Sequence, residues 1–174
     1  GAADPDGDGF ANYEDLDSDN DTIPDAQEAE QGNDPYDLGD MAFHFNTDGD
    51  FEGWADSVIN ISGLVISNGV MAGAAVTADP YVVNNSIRVE STENPSIRVR
   101  MRAGANAGVQ LYWAPESEGF AGNLLTETYS GSGDWKVLEY GLAGQASWDG
   151  KTIEQVRIDP IGSAGAWFEI DWIR

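Results

Sequence analysis

From Met41 onward, apolar and polar side chains alternate in short runs separated by Gly, Asn, Asp and Pro. In "SIRVRMRA", Ile97, Val99 and Met101 alternate with Arg98, Arg100 and Arg102. In "GVQLYW", Val109, Leu111 and Trp113 alternate with Gln110 and Tyr112. A two-residue period puts each set on one face of a strand. The pattern predicts strands at "MAFHFN", "SVINIS", "GLVIS", "VMAGAAVT", "PYVV", "SIRVE", "SIRVRMR", "GVQLYW", "LLTETYS", "WKVLEY", "TIEQVRI" and "WFEIDWI". No helical period runs for twelve residues, so the expected class is all-β: a two-sheet antiparallel jelly-roll sandwich. The predicted core is Ile97, Val99, Met101, Val109, Leu111, Trp113, Val156, Ile158, Phe168, Ile170 and Trp172. Strict alternation in the last strand would leave Trp167, Glu169, Asp171 and Ile173 on the opposite face.

Residues 1–40 lack this alternation and divide the chain into two segments, 1–40 and 41–174. The full 174-residue chain carries 31 acids, 8 bases and a formal charge of −23. Residues 1–40 hold 14 of the acids and no Lys or Arg. So many uncompensated carboxylates call for cations among them. "DPDGDGFANYED" places Asp4, Asp6 and Asp8 at positions 1, 3 and 5 of a twelve-residue loop. Gly9 stands at 6, Phe10 at 7 and Asp15 at 12, the oxygen-donor register of an EF-hand-type calcium loop. "DSDNDTIPDAQE" repeats it with Asp17, Asp19, Asp21, Ile23, Asp25 and Glu28, and Thr22 replaces the turn glycine. The alternative is a disordered acidic linker, but two registers in tandem favour Ca2+.

These loops resemble thrombospondin type 3 repeats. "DAQEAEQG" could form a short helix, and "NDPYDLGD" reads as the connection onward. The absence of long flanking helices argues for a stiffening role. In the second segment, "FHFNTDGDFEGW" resembles the opening of xylan-binding-type jelly-roll modules. "VRIDP" and "FEIDWIR" resemble closing strands of the β-sandwich carbohydrate-binding modules that include families 4, 6, 9 and 22. This resemblance implies a non-catalytic, sugar-binding module of a secreted, multidomain polysaccharide-degrading enzyme. It implies an extracellular or bacterial cell-surface setting, polysaccharide as partner and a catalytic domain on the same precursor. It also implies a calcium shared by Asn46 on the first strand and Asp171 on the last. A spacer or protein-interaction module remains the rival reading.

Candidate ligand residues follow from the outward positions. Arg98, Arg100 and Arg102 form a stripe, joined by Gln110, Tyr112, Arg157, Trp167 and Glu169, with Trp148 as a rim aromatic. Planar groups stack on sugar rings, and forked donors meet hydroxyl pairs or anions. The competing reading is a cross-strand ladder of ion pairs. "EIDW" echoes the signature of family 16 glycosidases, but Ile173 or Arg174 stands where the second Glu is needed, and retaining chemistry requires two flanking carboxyls. No catalytic residue is expected. There is no Cys, which excludes disulfides and thiolate sites. The acidity disfavours nucleic acid, no apolar run predicts membrane insertion, and a monomer is expected. "GAADPD" looks like a cut within a longer precursor.

Overall fold

Among the described residues, eleven strands form two antiparallel sheets, and no helix is present. The computed structural model describes residues 42–174 apart from positions 93 and 132. The proposed calcium ligands Asp4, Asp6, Asp8, Phe10, Asp15, Asp17, Asp19, Asp21, Ile23, Asp25 and Glu28 lie outside them. The strands are β1 (Ser57–Ile59), β2 (Ile61–Ser67), β3 (Val70–Ala75), β4 (Tyr81–Asn84), β5 (Val89–Glu90), β6 (Ser96–Ala103), β7 (Ala107–Pro115), β8 (Leu124–Tyr129), β9 (Lys136–Gly141), β10 (Thr152–Asp159) and β11 (Trp167–Ile173). One sheet runs β1-β4-β10-β7-β8, with β5 also beside β10. The other runs β2-β3-β11-β6-β9. This is the sandwich that the alternation predicts.

The core lies between the sheets because the apolar positions of each strand share one face. Val109, Leu111, Trp113, Val156 and Ile158 come from the six-stranded sheet. Met71, Val99, Met101, Phe168, Ile170 and Ile173 come from the five-stranded sheet. All are buried, and burial of apolar surface is the main stabilising term, at roughly 25 cal/mol per Å². Tyr140 of β9 reaches across and donates its hydroxyl to the Val109 carbonyl of β7 at 3.1 Å.

Four details depart from the sequence reading. "MAFHFN" is not a strand among the described residues; only Phe43 bridges to Ile173, with hydrogen bonds of 2.8 and 3.0 Å. "SIRVE" shrinks to the two residues of β5. "SVINIS" is cut at Asn60, whose φ of 56° turns the chain from β1 in one sheet to β2 in the other. Asn is one of the few residues that tolerates this conformation.

The fourth departure is in β11. Ile170 lies opposite Met101, but Arg100 lies opposite Trp172, so Asp171 is the extra residue of a β-bulge. A bulge breaks the two-residue period. Asp171 and Trp172 therefore follow each other outside the core, and Ile173 turns inward at 3% exposure. The expectation of a core Trp172 and an outward Ile173 is thus corrected.

Candidate ligand-binding faces

The sequence candidates fall on two opposite outer faces instead of one. Gln110, Tyr112 and Arg157 alternate with core residues of β7 and β10, so they lie outside the six-stranded sheet. Arg98, Arg100, Arg102, Trp167 and Glu169 lie outside the five-stranded sheet. Trp148 is on neither. It is fully buried, packs edge-on to Trp113 at 6.0 Å and donates Nε1–H to the Asn94 carbonyl at 2.7 Å. The "SWDG" loop folds back because a large indole gains more from burial, with its N–H satisfied, than from exposure at a rim. Trp113, expected in the core, is buried as well, and so is Trp54.

On the six-stranded face, register sets Arg157 opposite Tyr112 and Val83, and Asp159 opposite Gln110. The Arg157 guanidinium sits 3.7 Å from the Tyr81 ring centre and 4.6 Å from that of Tyr112. Its Nε and one terminal nitrogen donate to the two Asp159 oxygens at 2.6 and 2.7 Å. The same terminal nitrogen also donates to Asp79 at 2.7 Å. Asn60 helps place Asp79 by donating its side-chain amide to the Ala78 and Asp79 carbonyls. Phe120 packs edge-on to Tyr112 at 6.5 Å, and Leu124 lies beside Tyr112 in register.

Burial makes this cluster electrostatically costly. The Asp159 side chain is only 6% exposed and that of Arg157 17%. Burial pushes the Asp159 carboxyl above the usual carboxylate range, outweighing the hydrogen bonds and charge of Arg157. Burial also opposes the Arg157 charge, but Asp159 and Asp79 more than offset this and hold it protonated. The Tyr112 phenol is pushed up by burial and by Asp159, so it stays a donor. A raised carboxyl means that ionising Asp159 costs the fold stability at neutral pH. Such an arrangement is the kind found where a site is held ready for a ligand.

The five-stranded face is a ladder. Arg102 lies opposite Glu169 and donates Nε–H to it at 2.6 Å. Arg100 pairs with Asp171, the bulge residue. Both guanidiniums lie over the Trp135 ring, at 4.8 and 4.7 Å from its centre. Arg174 lies over Trp172 at 4.3 Å. The two carboxylates of "FEIDWIR" are thus each held by an arginine.

Asn46 and Asp171, the residues expected to share a calcium, make separate contacts. Asp171 gives its carboxylate to Arg100, and no group of three His, Cys, Asp or Glu side chains able to hold a metal occurs among the described residues. The Asn46 amide oxygen lies near Gly69, at the β2–β3 turn. In the same segment, Glu52 accepts the backbone N–H groups of His44 and Phe45 at 2.9 and 2.8 Å, and Asp48 accepts that of Asn68 at 3.0 Å.

Sequence reasoning missed Asp79 and Phe120, and it named Tyr81 and Trp135 only as further aromatics without placing them in a site. Arg157 and Asp159 stand two apart on one strand, which marks them as same-face neighbours. Nothing local links them to Tyr81 or Asp79, which lie more than 70 positions away along the chain.

The architecture is a two-sheet β-sandwich whose two outer faces carry the candidate residues. Known structures of this build include family 29 carbohydrate-binding modules. An Asp-to-Ala variant of one aligns with a TM-score of 0.54 and 16% identity, over 76% of this chain and 82% of its own. A variant complexed with mannohexaose gives 0.53 and 16%, over 76% and 88%. A variant complexed with cellulohexaose gives 0.52 and 14%, over 76% and 89%. No protein-family model and no curated protein matches the chain. The fold is therefore that of a β-sandwich carbohydrate-binding module.

Proposed function

We propose that the domain is a non-catalytic module that binds neutral polysaccharide on the outer face of its six-stranded sheet. The observation that carries this reading is the buried Arg157–Asp159 pair held between Tyr81 and Tyr112. Tyrosine rings suit sugar faces, while hydroxyl, amide and guanidinium groups suit sugar hydroxyls. Arg157 is flanked by two carboxylates, on a chain of charge −23, which disfavours an acidic chain at this site. Two family 29 structures hold neutral hexasaccharides. In that module an Arg and an Asp two positions further on were each replaced to probe ligand recognition. Arg157 and Asp159 share that spacing. The pairing of Glu169 and Asp171 with arginines supports a non-catalytic role. Targeting of a secreted catalytic domain, and calcium held by the loops of residues 4–28, complete the proposal.

The test is affinity electrophoresis through gels containing glucomannan or hydroxyethylcellulose. Tyr112→Ala is the variant of choice, since breaking the buried ion pair would itself destabilise the fold by roughly 3–5 kcal/mol. Tyr112→Ala should weaken binding about tenfold or more, ~1.4 kcal/mol or more. Failure of the wild-type chain to bind any neutral polysaccharide would remove this reading and leave the spacer or protein-interaction role.

A further inference from the structure

The second face does not share the chemistry of the first. Of the six tryptophans, Trp54, Trp113 and Trp148 are buried in the core. The other three, Trp135, Trp167 and Trp172, gather on the outside of the five-stranded sheet. Four of the six arginines, Arg98, Arg100, Arg102 and Arg174, lie on that same face. They meet three carboxylates there: Glu139, Glu169 and Asp171. Arginine is therefore concentrated on this one face of a chain whose charge is −23. Arg98 is exposed and faces Glu139 in register, with no ion pair among the described residues.

Trp167 differs from the other two indoles because no arginine covers it. It is 41% exposed. It lies against the backbone at Gly104, where an added Cβ would come within 2.5 Å of Nε1. A Cβ at Gly133 would reach the ring's far edge at 3.7 Å. Two glycines thus let a large ring lie over backbone at the end of the arginine rows. From Trp167 to Ile173 the strand spans about 20 Å, the length of a short oligosaccharide.

We infer that this face is a second, independent binding surface that takes an acidic glycan. Trp167 would carry a sugar ring, and the arginines would receive its anionic groups. Planar guanidinium forks already stacked on Trp135 lose little freedom on meeting a carboxylate or sulfate. The neutral-sugar site on the other sheet would remain available, so one domain would hold two kinds of chain at once.

The experiment is calorimetric titration of the full chain with tetragalacturonate, with a sulfated galactan tetrasaccharide and with neutral mannohexaose. The wild type should bind at least one acidic probe; which one it binds identifies carboxylate or sulfate as the recognised group. Trp167→Ala and, separately, the exposed Arg98→Ala should each weaken acidic binding, by about tenfold for the former, with mannohexaose binding unchanged. Tyr112→Ala should do the reverse. The inference fails if neither acidic probe binds, if both Trp167→Ala and Arg98→Ala leave acidic binding unchanged, or if Tyr112→Ala abolishes it. Loss of mannohexaose binding alone would count against the proposed neutral-sugar function and not against this face.

Discussion

His44 enters the protein interior as a neutral imidazole. It is 9% exposed, and its Nε2 has no hydrogen-bond partner among the described residues. Burial, helped by the charge of Arg174, lowers its pKa to about 4. The unfolded chain takes up the proton near pH 6.5, whereas the folded chain resists until about 4. Stability therefore falls as pH drops through that interval, by about 3 kcal/mol from this residue. Glu52 acts in the opposite sense. Burial raises its carboxyl despite the two backbone N–H groups it accepts, so protonation relieves a cost. A direct check compares denaturant midpoints of wild type and His44→Leu between pH 7 and pH 4.5. The wild type should lose about 2–3 kcal/mol more than the variant over this range; equal slopes would refute the assignment. The sequence shows a lone His on the first predicted strand, but not its burial, which comes with contacts of its segment: Glu52 accepts its backbone N–H, and the adjacent Phe43 bridges to Ile173 of the last strand.

At the scale of the element, β11 shows how one bulge reassigns a strand. The sequence "WFEIDWIR" predicts Trp172 inside, because strict alternation places it on the face of Phe168 and Ile170. The structure spends one residue, Asp171, on the bulge. Phe168 and Ile170 follow the simple period, while Ile173 follows the shifted one. Ile173→Ala should accordingly cost about 2–4 kcal/mol in chemical denaturation, the range for emptying a packed core site. Trp172→Ala should cost clearly less, since it removes a half-exposed ring under Arg174. The opposite ranking would show that the period is unbroken. In β6 no bulge intervenes, and the alternation of Val99 and Met101 with the three arginines holds throughout.

For the whole molecule the governing fact is charge. Residues 1–40 carry 14 carboxylates without a single base. If Ca2+ fills the two loop registers between Asp4 and Glu28, it adds RT ln(1 + [L]/Kd) to the stability of what it binds. Chelation should then speed proteolysis within residues 4–28 and lower the melting temperature. Identical cleavage rates with calcium and with chelator, and no heat of calcium binding, would remove the metal from the proposal. The all-β class, the strand positions and most of the core were legible in the sequence, because a two-residue period is a local consequence of backbone geometry. The outward side chains were legible too, as a set. Their division between two faces was not, since that depends on which strands pair: β7 and β10 lie in one sheet, β6 and β11 in the other. Only the tertiary structure could bring Asp79 and Tyr81 to Arg157, set Trp135 beneath Arg100 and Arg102, and bury Trp148. Each is a long-range contact whose free energy appears only once two sheets have closed over a common core.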